Sequence, residues 1–330
     1  MKNKIIPFFS KRYIYFGISL SIMVIGIIFA FIDGVQLDIQ FKGGAIVKYT
    51  YEGTIDENAA ADIAEQQLDR IVTTQTTVDL TTGEKKIAFN MAGNYGINVE
   101  DQHAFDAALK EKFPDNNLTL SESRMVEKYF GDKFLKRGIM AVLLASVLIV
   151  AYVWVRFKMM GGLSAGVMAL VALCHDVLVV FFTCVIFKIP IGDSFIAVAL
   201  SILGYSINDT IVIYDRIREN CKLLEGEKIE TITDLSITQS MFRSINTNVA
   251  VMISISTVYI IAHLNNMPSI ESFALPMAVG SLSGCYSTIC IAGPLWVMWK
   301  KRKGETMIFK EKKDEPIRIN VNSKYKKKRY

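Results

Sequence analysis

Ser194-Phe-Ile-Ala-Val-Ala-Leu-Ser201-Ile-Leu-Gly204-Tyr205-Ser-Ile-Asn208-Asp209-Thr-Ile-Val-Ile-Tyr214 carries a single acidic residue in an otherwise apolar and small-residue run. At about 1.5 Å per residue such a run reaches across the roughly 30 Å of bilayer hydrocarbon, so it reads as a membrane-spanning helix. Spacings of four, three and four set Ser201, Tyr205, Asn208 and Asp209 on one stripe of that helix. Five further runs of comparable character lie at about Tyr13 to Ile32, Gly138 to Val155, Gly161 to Phe187, Ile245 to Ala262 and Phe273 to Trp299. The composition agrees: 51% of the 330 residues are hydrophobic and 21% are charged, and the mean hydropathy is +0.31. That balance excludes a soluble secreted scaffold.

The five cysteines, Cys174, Cys184, Cys221, Cys285 and Cys290, show no CxxC spacing and lie in or beside apolar runs, which suits buried packing. No metal site and no cofactor is expected. The net charge of +5 does not point to nucleic acid, because thirteen of the 37 Lys and Arg crowd into the last 31 residues. Such a tail suits an anionic membrane surface. Short segments on one side of the six spans hold twenty-four bases, and those on the other hold only Lys188. The positive-inside rule therefore places both termini in the cytoplasm. Lys2, Lys4, Lys11 and Arg12 precede the first span, whose apolar run is too long for a signal peptide and has no cleavage site after it, so it is expected to be a retained anchor.

The expected organisation is a cytoplasmic stretch over 1–12, a span over 13–32, an extracytoplasmic domain over 33–137, five spans over 138–299 and a basic tail over 300–330. The outer segment has 18 acids against 12 bases. Its pattern is β-α-β-β-α-β: a strand in Val35 to Tyr51, a helix capped at Thr54-Ile-Asp-Glu57 and running to Arg70, strands at Ile71 to Leu80 and Lys86 to Met91, a helix from Glu100 to Phe113 before Pro114, and a strand at Leu118 to Val126. The fold class is thus an α-helical membrane protein of six spans with a ferredoxin-like α+β domain between the first two. His103, the domain's only histidine, reads as a surface residue, and Phe41-Lys42-Gly43-Gly44 reads as a bulge or close backbone approach.

Ionisable groups inside spans are costly and mark functional interiors. His175-Asp176 sits mid-span, and since neighbours on a helix point about 100° apart it is not expected to act as a dyad. Asp176 reads equally as a helix-helix hydrogen bonder. Depth counted along the helices matches Asp209 to Arg243, either as a static bridge or as a functional pair. Asp215-Arg216-Ile-Arg218-Glu219-Asn220 is either a self-paired helix end or a docking surface. Gly280-Ser-Leu-Ser-Gly284 and Gly161-Gly162-Leu-Ser164-Ala165-Gly166 are smooth seams for close helix packing, and together with the charges they suggest burial against a second, homologous half.

Gly204-Tyr-Ser-Ile-Asn-Asp-Thr210 followed by Asp215-Arg-Ile-Arg-Glu-Asn220 resembles the signature of SecF, the smaller half of the bacterial SecD/SecF protein-export accessory complex. Tyr152-Val-Trp-Val-Arg-Phe157, His175-Asp176, Ser236-Ile-Thr-Gln-Ser-Met-Phe-Arg243 and Ser287 extend the likeness over nearly the whole chain. The resemblance implies the wider RND superfamily, the bacterial inner membrane, pairing with a SecD-like subunit, work beside the SecYEG channel on unfolded preprotein, and coupling to the proton gradient. Residue by residue, the proton-linked acid falls on Asp209 and its arginine on Arg243, with Ser201, Tyr205, Asn208 and Asp176 in support. The chain departs from the family where Gln40-Phe-Lys-Gly-Gly44 stands for the usual Asp-Phe-Thr-Gly-Gly, and where Ser244-Ile-Asn-Thr-Asn248 replaces a Thr-rich stretch. No enzymatic activity is expected. Two rival readings are a structural subunit without proton coupling and an intramembrane aspartyl protease using Asp209 and Asp215. The latter suffers because the two acids lie about 9 Å apart in rise on one helix.

Overall fold

The structure, a computed structural model, describes residues 5–304 except 39–40, 42–43, 69–71, 79–82, 93–96, 127, 225 and 266. Gln40, Lys42, Gly43 and most of the basic tail therefore lie outside the described residues. In chain order the elements are α1 (Arg12–Ile32), β1 (Gly44–Tyr51), α2 (Glu57–Leu68), β2 (Val72–Val78), β3 (Lys85–Ala92), α3 (Val99–Lys112), β4 (Thr119–Val126), α4 (Lys128–Arg156), α5 (Gly162–Ile186), α6 (Asp193–Leu223), α7 (Ile229–Leu264), α8 (Pro268–Ser287) and α9 (Gly293–Arg302). A π turn, Thr288–Ala292, joins α8 to α9.

The four strands form one antiparallel sheet in the order β2-β3-β1-β4. That order, with α2 and α3 as the crossovers, is the ferredoxin-like split βαβ arrangement expected from the pattern. Alternate residues of the strands, Val47, Tyr49, Tyr51, Ile87, Phe89 and Met91, meet Ala60 and Ala64 of α2 and Phe105 and Leu109 of α3 in one buried cluster. Tyr49, Phe89 and Phe105 make mutual edge-to-face contacts with centroids 4.9 to 6.0 Å apart. Two expectations need correction. The cap of α2 is Asp56, not Thr54: its Oδ1 accepts from the N–H groups of Asn58 and Ala59, so the helix starts only at Glu57. The first strand starts at Gly44 and not near Val35, because the preceding residues pair elsewhere.

Gln36, Leu37 and Asp38 are held instead by the turn that joins α5 to α6. The Asp38 N–H donates to the Ile191 carbonyl at 3.0 Å and the Ile191 N–H to the Gln36 carbonyl at 2.8 Å, giving a parallel bridge between Leu37 and Ile191. Lys188 pairs with Asp33 at 3.1 Å, and Phe41 is buried against Cys184 and Ile191.

Among the described residues, six helices are long and apolar enough to cross a membrane. Three of them are central: α5, α6 and the α8–α9 helix bury 56%, 50% and 61% of their apolar windows, against 6% to 11% for α1, α4 and α7. The small-residue seams explain the close contacts. A Cβ at Gly162 would run into the Trp154 carbonyl and one at Gly166 would come within 3.1 Å of the Val150 carbonyl, so α5 lies directly on α4. At Gly280 a Cβ would meet Val180 at 2.6 Å and Ile202 at 2.8 Å, and at Gly284 it would meet Ser206 at 3.0 Å. The Gly280–Gly284 seam is thus consumed inside the bundle, against α5 and α6, and is not open to a second half of a complex.

Three helices outrun the spans read from hydropathy. α4 begins at Lys128, α6 continues to Leu223, and α7 begins at Ile229, sixteen residues before Ile245. Hydropathy sees the lipid-facing part alone, whereas the first turns of α7 bury Ile229, Ile232, Ser236, Ile237 and Ser240 at helical spacing. This stretch packs on Trp296, Val297 and an N-terminal hook in which Phe8 and Phe9 are 5% and 9% exposed. Asp234 accepts the Phe9 N–H at 2.8 Å, and Thr238 accepts the Ile6 N–H at 3.2 Å.

Candidate functional site

α6 carries Ser201, Tyr205, Ser206, Asn208, Asp209 and Thr210 within three turns, and its neighbours decide what each can do. Asp209 is buried, 4% exposed, and faces Ser244 of α7. The two are close enough to interact, yet neither Asp209 Oδ2 nor Ser244 Oγ completes a hydrogen bond. A buried carboxyl oxygen left this way is costly unless a proton, a water or a cation reaches it. Asp209 and Arg243 do not form the expected ion pair. Arg243 is one residue from Ser244, hence about 100° around α7, and it is exposed. It lines a cleft of about 340 Å³ between α6 and α7 together with Val212, Asp215, Arg216, Glu219, Gln239 and Ser240.

The expected single stripe on α6 also resolves into two sides. Ser201, Gly204 and Asn208 are exposed, Tyr205 is half-buried and Asp209 is inside. Asp209 follows Asn208 by one residue, so a helix turns them apart by about 100°. Ser201 satisfies its hydroxyl on the Ala197 carbonyl of its own helix at 2.7 Å. The Tyr205 hydroxyl is 3.4 Å from Nδ2 of Asn248, which also donates to the Ser281 carbonyl at 2.7 Å and so links α6, α7 and α8.

Asp176 lies on the other flank of α6 and is fully buried. Its carboxylate accepts hydrogen bonds of 2.7 Å from three serine hydroxyls, Ser206 of α6 and Ser283 and Ser287 of α8. Contrary to the angular argument from sequence, His175 does reach its neighbour: its Nδ1 lies 3.2 Å from Asp176 Oδ1. The His175 ring lies 6.2 Å from that of Tyr286, whose hydroxyl donates to the Tyr15 carbonyl of α1. Below this cage Thr210 and Thr288 share a hydrogen bond of 3.0 Å.

Sequence reading missed Ser206, Ser283 and Ser244. Ser283 and Ser287 are four apart on one helix face, a signal that two hydroxyls converge, but the flanking glycines drew the reading toward packing alone. The charged end of α6 ties itself and its neighbours together. Arg218 and Arg156 both hold Asp215, at 2.6 and 3.0 Å, while Arg216 bonds Glu219 at 2.5 Å and Gln239 of α7 at 2.6 Å. With Asp215 held by two arginines away from Asp209, the two acids do not share a site, which removes the geometric basis of the aspartyl protease reading. Among the described residues no three metal-ligating side chains gather.

The family model described as "Protein export membrane protein SecD/SecF, C-terminal" matches residues 105–302. The protein translocase subunit SecF of Petrotoga mobilis is 30% identical over 304 residues, which cover 91% of this chain and 98% of that one. The protein translocase subunit SecDF of Bacillus subtilis is 32% identical over 90% of this chain, corresponding to 38% of its own length. The crystal structure of SecDF, a translocon-associated membrane protein from Thermus thermophilus, superposes with a TM-score of 0.74 at 25% identity, over 91% of this chain and 39% of that one. Matched by the family model over more than half its length and by a relative 30% identical along 98% of that relative, this chain belongs to the SecD/SecF family of protein export membrane proteins.

Proposed function

We propose that this chain is the SecF-type half of a proton-driven accessory to Sec-dependent protein export, pairing with a SecD-type half beside the SecY channel, with both termini in the cytoplasm. The Petrotoga mobilis relative named protein translocase subunit SecF is matched over 98% of its own length, and this chain is a multi-pass membrane protein of the Sec export pathway. Proton passage, in this reading, runs through Asp209 and Arg243. The observation that supports it is the Asp209 oxygen without a hydrogen-bond partner, buried in a spanning helix one turn before Val212, which lines the same cleft as Arg243.

The chemistry follows from the two positions open to the arginine. A guanidinium drawn toward a buried carboxyl favours the ionised form, and its withdrawal into water favours the proton. Arg243 standing in the cleft corresponds, in this reading, to the half of the cycle in which Asp209 holds the proton. Its swing toward Asp209 would release the proton into the same cleft, with Tyr205 and Ser244 ordering the waters in between. The exposed Ser201, Gly204 and Asn208 side of α6 is the face that the SecD-type half covers. Motion of α6 reaches the outer domain through the Ile191 to Leu37 clasp, and that domain handles the emerging unfolded preprotein.

Asp209→Asn keeps volume and polarity but cannot titrate. It should abolish gradient-stimulated export while membrane insertion and partner binding persist. Unchanged, ionophore-sensitive export by that variant would leave a structural subunit as the account.

A further inference from the structure

The Asp176 cage joins three helices, and only one of its serines lies on the helix that carries Asp209. Ser206 precedes Asp209 by three residues, which on a helix is about 60° of rotation and 4.5 Å of rise. Ser206 is fully buried, donates to Asp176 Oδ2 at 2.7 Å, and has Gly284 against its Cβ. A turn of α6 large enough to carry Asp209 from Ser244 toward Arg243 would pull the Ser206 hydroxyl out of the cage. Asp176 accepts from three serine hydroxyls at 2.7 Å, and in a fully buried site each such bond is costly to leave unmade.

From this we infer that Asp176 is a positioning residue: through Ser206 it fixes the rotation of α6 and so sets which way Asp209 faces. The inference rests on the proton-coupling reading only for its consequence in export. The mechanical part stands on the hydrogen bonds alone. Ser283 and Ser287 tie the same carboxylate to α8 and do not restrain α6, so the three serines, equal in distance, are unequal in effect. A role confined to stability would make them alike.

The test places a reporter beside Asp209. Asn208→Cys puts a thiol next to it at a position exposed in the single chain, and its rate of reaction with N-ethylmaleimide is measured on the purified single chain in mild detergent, without the partner half that would cover this face, after subtracting the reaction of the protein without that substitution. Ser206→Ala should change the rate about tenfold, as expected when a buried hydrogen bond no longer holds one state. Ser206→Thr, which restores a hydroxyl, should return it toward the starting value, and Ser283→Ala should move it by less than a third of the Ser206→Ala change. Equal changes for Ser206→Ala and Ser283→Ala, or no change for either, would overturn the inference. Gradient-stimulated export is read in parallel on the Ser206→Ala protein without the reporter. A changed labelling rate with export insensitive to the gradient in every variant, the unsubstituted protein included, would sustain the role of Asp176 and remove the proton-coupling reading instead.

Discussion

Gly280→Ala should destabilise the isolated chain, whereas Gly17→Ala should not, although both glycines sit inside spanning helices. At Gly280 the new methyl would lie 2.6 Å from Val180 Cγ2 and 2.8 Å from two atoms of Ile202, about 1 Å inside ordinary carbon-carbon contact. Overpacking of this kind costs about 1 to 3 kcal/mol, offset by up to about 1 kcal/mol from the better helix propensity of alanine. At Gly17 nothing lies within 4 Å of the added carbon, so only the propensity gain remains. The two variants should therefore differ by about 2 kcal/mol, which for a chain of this size is on the order of 5 °C in melting temperature. Gly204 supplies the complementary case. It too has nothing within 4 Å, but it lies on the face assigned to the partner, so Gly204→Leu should leave the melting temperature alone and weaken co-purification with a SecD-type subunit. The assay is thermal unfolding of the purified single chain in mild detergent. Equal melting temperatures for Gly280→Ala and Gly17→Ala would refute the claim that the Gly280–Gly284 seam is spent inside the bundle.

Phe105→Ala removes the ring shared by Tyr49 and Phe89 and should cost the outer domain about 3 to 5 kcal/mol, seen as faster proteolysis of residues 44–126 while the spanning helices stay resistant. Asp234→Ala deletes the acceptor of the Phe9 N–H and should expose the N-terminal hook, read as faster hydrogen exchange at residues 5–11; exchange as slow as in the unsubstituted protein would show that Phe8 and Phe9 hold the hook without it. For sidedness, Asp62→Cys should react with an impermeant thiol reagent in whole cells and Ser323→Cys should not, and equal reaction would overturn the assignment of cytoplasmic termini.

Much of this was legible from the chain alone, and the reasons differ by element. The outer sheet could be read because strand alternation and turn residues act locally. Its first strand was misplaced because Leu37 and Phe41 are recruited by Ile191, more than 140 residues away, which no local pattern encodes. The spans were legible because lipid demands long apolar runs, while their true ends were not, since the start of α7 is stabilised by Phe8, Phe9 and Trp296 and not by lipid. Within the site, Asp209 and Asp176 stood out as charges in apolar surroundings. Ser206, Ser244 and Ser283 did not, because serine is commonplace in spanning helices and gains meaning only when a carboxylate from another helix faces it.

The clasp between Leu37 and Ile191 gives the sheet domain a second tie to the helices. The chain reaches that domain through a segment hydrogen-bonded to the α5–α6 turn and leaves it through α4, which starts two residues after β4 ends. One tether lies two residues before α6 and the other is the start of α4, so a relative shift of these two helices changes the distance between the ends of the domain's own chain.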